Sequence, residues 1–258
     1  MDYEAIAKEM TVFFQNSAAE MRLCLSSALA ALEQMEEASE HTAALRRGLY
    51  RMLRLTWNLN DFSVATDETP LHLASVCPLV IAEEIFDESA ALVEDAGRKL
   101  LLAGDERMPA VALNPHATRR ILYQLLSNAL AVTPEGGTIR LSCRMAGGQV
   151  LFSVADEGGG IPPEALDRIF SAPFAGEPDF SPHGLRLGLP LAKLLAEKQG
   201  GRLLVETKDG GSCFTFAVGT GHRAEELREL RADYTGGISA PLVELSSVLP
   251  RDAYRSED

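Results

Sequence analysis

From Met10 onward, apolar side chains return every three or four residues without a glycine or proline to interrupt them. The phase runs through Met10, Phe14, Ser17, Met21, Cys24, Ala28, Ala31 and Met35, and Leu25, Leu29 and Leu32 widen the stripe. This spacing predicts a helix of about 35 residues, longer than a globular helix usually is, and therefore a bundle or coiled coil. A second stripe follows at Leu45, Leu49, Met52, Leu55, Leu59 and Phe62, after a break with Ser39 or Thr42 as N-cap. Glu33, Glu36, Glu37 and Glu40 end the first helix, and Arg46, Arg47, Arg51 and Arg54 begin the second. An antiparallel hairpin would bring these charges opposite each other, mostly as a solvated face. Two helices cannot bury both stripes alone, whereas two copies packed as a four-helix bundle can. The pattern predicts a homodimer; the alternative is packing against the chain's own C-terminal domain.

From about residue 68 the periodicity becomes mixed α/β. Strands are predicted at 71–74, 99–104 and 110–114, and helices at 78–97 and 115–133. The 115–133 helix is opened by Asn114 and Pro115, a cap followed by a first-turn proline. Residues 138–156 read as a hairpin around Gly147-Gly148, followed by a short helix at 162–170 and a loop at 171–184. A helix at 185–200, tolerating Pro190, leads to a closing hairpin of 202–207 and 212–218. The final residues, 221–258, form a separate appendage, expected to dock on the domain or on a partner.

With 24 Lys+Arg against 37 Asp+Glu the chain carries −13, and its pI is near 4.9. A general nucleic-acid binder needs a basic surface, so that class is disfavoured. Local phosphate binding through backbone N–H groups and a metal ion is not. Cys24, Cys77, Cys143 and Cys213 lie far apart without a CxxC, so they are expected to be reduced, small core residues rather than a zinc or redox site. No apolar run is long enough for a membrane span, and the first residues lack the apolar core of a signal peptide. A cytoplasmic location is expected.

Three segments carry the chemistry. Gln124 and Asn128 stand four residues apart, on one face of a helix. An amide oxygen there is a hard ligand suited to Mg²⁺. Asp156 follows a strand, and Gly158, Gly159, Gly160 and Ile161 come next. Its carboxylate is able to accept from an exocyclic amine while the glycines let a flat base approach the backbone. Gly184, Leu185, Arg186, Leu187, Gly188 and Leu189 open a helix, whose free N–H groups suit a phosphate.

In this order and spacing the segments resemble the ATP-binding domain of sensor histidine kinases of two-component systems. That domain belongs to the GHKL ATPase superfamily, shared with Hsp90-type chaperones, gyrase B subunits and MutL. The resemblance extends over about residues 1–220, with the hairpin at 1–66 similar to the dimerisation and phosphoacceptor domain and 67–220 to the ATP-binding domain. It implies an α+β chain: a dimeric helical bundle followed by an α/β sandwich, a mixed sheet covered on one face by helices. It further implies ATP and Mg²⁺ as cofactors, Asn128 as the Mg²⁺-binding residue and Asp156 as the adenine reader, with Gly158 and Gly160 completing that box. Ile169, Phe170 and Phe174 look like the base of a lid, and Gly184 and Gly188 like the second glycine box. A response-regulator receiver domain is the implied partner.

The chain departs from that pattern at the acceptor. The family's motif reads roughly His-Glu-Leu-Arg-Thr-Pro-Leu, and the best match is Ala19-Glu20-Met21-Arg22-Leu23-Cys24-Leu25. Ala19 has no nucleophile, which leaves Glu20, the family's catalytic neighbour of the histidine, nothing to act on. Arg186 stands where a glycine is expected, Gln124 replaces an asparagine and Ala131 a lysine. Among other histidines, His183 beside Gly184 is the one to test as an acceptor. The expected function is a histidine-kinase-like ATP-binding signalling protein with autophosphorylation in doubt. The alternatives are a non-catalytic, nucleotide-responsive dimeric binding module, and a kinase acting on a partner protein in trans.

Overall fold

The computed structural model describes residues 3–34, 39–105, 108–166, 168–170, 187–208, 210–221 and 238–255, with side chains along the first helix from residue 16. The chain separates into two compact units, Met1–Thr69 with Thr235–Asp258, and Pro70–Tyr234.

The first unit is built on α1 (Tyr3–Glu33) and α2 (Glu40–Thr66), which pack on each other. Ser39 caps α2: its hydroxyl accepts from Thr42 N–H, and Thr42 Oγ1 accepts from Ser39 N–H. This reciprocal pair satisfies two orphan donors at the helix start. The buried faces differ from the expected stripes. In α1 the buried side chains are Ala18, Leu25, Leu29 and Leu32, while Met21, Leu23 and Cys24 are exposed. In α2 the buried set includes Ala43, Tyr50, Leu53 and Trp57, while Leu45, Met52, Leu55 and Leu59 face outward. Each helix is apolar on two faces, and the hairpin buries the one that was not read as the principal stripe.

Helix α2 also carries the tail. A short helix, α7 (Ala240–Glu244), and a 3-10 turn at Arg251–Tyr254 both pack on it. The tail buries Val243, Leu245, Leu249 and Tyr254. Tyr254 stacks at a tilt on Tyr50, ring centroids 5.3 Å apart, and its hydroxyl donates to Leu242 O at 2.9 Å. The α2 arginines bind the tail: Arg46 donates to Tyr254 O at 3.0 Å, Arg47 to Ser246 O at 3.4 Å, and Arg54 to the Ser247 hydroxyl. Glu36 and Glu37, expected opposite these arginines, lie outside the described residues. Carbonyls at the end of a short helix and turn are unpaired acceptors, and guanidinium groups meet that need well.

The second unit opens with β1 (Ala74–Val76), later than the expected 71–74, because its antiparallel pairing with β3 (Val111–Leu113) begins at Ala74 against Leu113. Between them lie α3 (Pro78–Asp95) and β2 (Lys99–Gly104). Then come α4 (Pro115–Val132), β4 (Thr138–Ala146), β5 (Gln149–Ala155), α5 (Pro163–Leu166), α6 (Gly188–Lys198), β6 (Arg202–Lys208) and β7 (Gly211–Gly219). The main sheet has the order β2-β4-β5-β7-β6. Its β2–β4 pair is parallel and the others antiparallel, so the sheet is mixed. Gly147 and Gly148, φ +57° and +73°, make the tight β4–β5 turn that demands positive φ at both positions.

Register puts one row of side chains across the sheet: Cys143, Phe152, Phe216 and Leu203 are successive partners. All four are buried, as are Leu141, Val154 and Phe214 in the adjacent row. This is the face on which α3, α4 and α6 pack. Burying a side chain of this size is worth ~1.5–3 kcal/mol. The opposite face carries polar groups such as Ser153 and Thr215, whose hydroxyls bond at 2.8 Å. Among the described residues no helix is long and apolar enough to cross a membrane.

Candidate functional site: a cleft between helix α4, the Asp156 loop and helix α6

Helix α4 starts where the sequence demands it. Asn114 Oδ1 accepts from Ala117 N–H at 2.7 Å, and Pro115 occupies the first turn, where no N–H partner is missed. From Arg120 to Leu130 every position is buried except Asn128, which is half-buried and lines a cleft. The cleft has a volume of about 120 Å³, and Val132, Asp156, Gly160, Ile161, Ile169, Leu189, Ser212 and Phe214 line the rest of it.

Asp156 sits on its floor with only 7% of its surface exposed. The end of β5 runs into it, and the sheet ladder continues one step further: Asp156 N–H donates to Ser212 O at 2.9 Å. Its Oδ1 accepts from Gly158 N–H at 2.9 Å and from Ser212 N–H at 3.2 Å. Its Oδ2 is buried and has no hydrogen-bond partner. Burial raises the carboxyl above its ordinary range, and the two N–H donors partly oppose this. A buried acceptor left open in a cleft is a place where a ligand donor gains a strong bond.

The loop after Asp156 is held from below. Gly160 adopts φ +74°, and Ile161 N–H donates to Thr207 Oγ1 on β6 at 2.8 Å. A Cβ on Gly158 would stand 2.9 Å from both Asp156 Oδ1 and Val132 Cγ2. Phe170 meets Phe214 edge-on at 6.3 Å, which brings that residue of the expected lid base to the cleft wall. At the other side α6 begins at Gly188 with Leu187 as N-cap, whose side chain makes no capping bond. Pro190 falls in that first turn, which explains why the helix tolerates it.

The expected site residues divide accordingly. Asn128, Asp156, Gly160, Ile161 and Leu189 line one cleft, and Gly158 shapes it from behind. Gln124 does not line it: it is buried, and its Oε1 lies 2.7 Å from where a Gly188 Cβ would be, so it packs against the start of α6. Leu187 is buried. Gly184, Arg186, His183 and Phe174 lie outside the described residues. Ala19 and Glu20 are exposed on α1 in the other unit. Ser212, Thr207, Val132 and Phe214 are contributed by structure rather than by any motif read beforehand. So is Gly211, at φ +157°, whose Cβ would stand 2.0 Å from Asp156 O.

Residues 114–221 match the family described as Histidine kinase-, DNA gyrase B-, and HSP90-like ATPase. The adaptive-response sensory kinase SasA of Rippkaea orientalis is 29% identical over 198 residues, which cover 72% of this chain and 51% of that protein. The sensor histidine kinase Hik2 of Thermosynechococcus vestitus is 32% identical over 166 residues, 62% of this chain and 43% of that one. The structure of full-length ShkA in complex with AMPPNP has the same fold, with a TM-score of 0.62 and 24% identity, over 86% of this chain and 46% of that one. The chain thus spans about half, or less, of the relatives it matches. This is a chain similar to sensor histidine kinases, and its residues 114–221 match the histidine kinase-, DNA gyrase B- and HSP90-like ATPase family.

Proposed function

We propose that the cleft binds ATP and that the chain is a histidine-kinase-like signalling protein of two-component type whose usual acceptor position carries no nucleophile. The observation that carries this reading is Asp156, a buried carboxylate with an unpartnered Oδ2 on the cleft floor. An adenine 6-amino group would satisfy that oxygen, and Ile161, Leu189 and Phe214 offer apolar surface for the ring. Asn128 and the uncapped start of α6 lie around the same cleft, and would receive the triphosphate. Bound Mg²⁺ would neutralise phosphate charge there, and the Asn128 amide oxygen is the hard donor suited to it. The exposed, apolar outer faces of α1 and α2 support a homodimer through the helical unit, and a receiver domain is the partner class this architecture serves.

A second reading is favoured by Ala19, which is exposed on α1 where the acceptor motif aligns. Here nucleotide binding changes how the helices or tail meet a partner, without phosphoryl transfer. The separating experiment incubates the protein with γ-labelled ATP and Mg²⁺, alone and with receiver domains, beside Asn128→Ala and Ala19→His. Acid-labile label on the wild type eliminates the purely binding role. Label on Ala19→His alone identifies a live site that has lost its acceptor. Absence of nucleotide binding at millimolar ATP contradicts both.

A further inference from the structure

We propose that Cys77, Cys143 and Met108 form a three-sulfur site for a soft monovalent metal ion of the Cu(I) class. The sequence separates these residues, and the fold of the second unit brings them together. Cys77 stands at the N-cap of α3 and makes no side-chain capping bond. Cys143 projects from β4 onto the helix-covered face of the sheet and is fully buried. Met108 lies in the connection between β2 and β3 and is half-buried. Both thiols reach this residue: Cys143 Sγ donates to the Met108 sulfur at 3.5 Å, and Cys77 Sγ donates to the Met108 backbone carbonyl at 3.8 Å.

The donor set selects the ion. Among the described residues no three His, Cys, Asp or Glu side chains converge as a metal-holding group. The side chain that joins the two cysteines is a thioether, which hard and borderline ions bind poorly and Cu(I) binds well. The Cys143–Met108 pair has the spacing for it. An ion placed ~2.3 Å from both Cys143 Sγ and Met108 Sδ, a common metal–sulfur distance, would subtend an S–metal–S angle of about 100°.

Binding breaks two S–H bonds, forms two metal–thiolate bonds and releases two protons to solvent, while the Met108 sulfur donates a lone pair. The metal keeps its oxidation state, and no oxidant or reductant is consumed. Cys77 and Met108, both half-buried, form the entry side. None of the three residues lines the nucleotide cleft, so the site stands independently of the ATP reading.

The test titrates the full-length chain, anaerobically and with its thiols verified as reduced, against the coloured Cu(I)–bicinchoninate complex. One equivalent of copper withdrawn per chain, with X-ray absorption reporting three sulfur neighbours, is the expected result. Met108→Leu and the half-buried Cys77→Ser, each checked for native circular dichroism, are expected to weaken retention at least tenfold. Cys24→Ser and Cys213→Ser are expected to leave it unchanged. Failure to withdraw copper, fewer than three sulfur neighbours, or undiminished retention in Cys77→Ser overturns the proposal.

Discussion

Asp156 is a carboxylate kept where its charge is disfavoured. Two backbone N–H groups hold Oδ1, nothing holds Oδ2, and burial raises its pKa. A raised native pKa means that the protonated form is the better fit in the empty fold. The contribution of Asp156 to the stability of the ligand-free protein should therefore be complete below the ordinary carboxylate range and be lost as pH rises through the raised value. Asp156→Asn is expected to remove that dependence and to raise the neutral-pH Tm of the ligand-free protein by a few degrees. The same change should cost ~1.5–3 kcal/mol of ATP binding, roughly 10- to 100-fold in affinity. Wild-type affinity should fall as pH drops below the raised pKa, because protonation removes the acceptor. Thermal melts and nucleotide titrations across pH check both signs. Next to it, Gly211→Ala should destabilise by more than ~2 kcal/mol in urea unfolding, since its Cβ meets the Asp156 carbonyl at 2.0 Å. Gly159→Ala, with nothing within 4 Å, should stay within ~0.5 kcal/mol. The place of Asp156 beside a glycine loop at a strand end was readable from the sequence. The roles of Gly211 and Ser212 were not, because they depend on the register of β5 against β7, 56 residues along the chain.

The helices show what local pattern conveys and what it omits. Asn114-Pro115 announces the start of α4, and the structure has the cap bond; Asn114→Ala is expected to cost ~1 kcal/mol in thermal or chemical unfolding. The face each hairpin helix buries is a different matter. Periodicity finds apolar positions but does not say which of two apolar faces meets a neighbour. Tyr50 is buried because Tyr254, 204 positions later, lies against it, and local spacing carries no information on that contact. Arg46, Arg47 and Arg54 were read as partners of glutamates, yet they bind tail oxygens for the same long-range reason. Trp57 is the chain's one tryptophan and is buried in this unit, so its fluorescence reports unfolding of the hairpin and tail specifically. Tyr254→Ala, which removes a buried ring and its bond to Leu242, should lower that unit's stability by about 3 kcal/mol. The cysteines, read as small core residues, separate into exposed Cys24, half-buried Cys77 and Cys213, and buried Cys143.

The proposed homodimer rests on what the helical unit leaves uncovered. Met21, Leu23, Leu45, Met52, Leu55 and Leu59 are 37–70% exposed, an apolar surface that water solvates poorly. A second copy would bury it as a four-helix bundle. Met52→Glu with Leu59→Glu, a heptad apart on α2, is expected to convert a dimer to a monomer in sedimentation experiments while leaving the helical circular dichroism intact. Both signalling roles proposed for the chain depend on ATP binding in the cleft that Asn128 and Asp156 line. Titration calorimetry of the chain with ATP in the presence of Mg²⁺, beside Asp156→Asn and Asn128→Ala, addresses it directly. One site per chain with sub-millimolar affinity, weakened at least tenfold by Asp156→Asn, is the predicted result; no heat at millimolar ATP, or an affinity indifferent to Asp156, would contradict it.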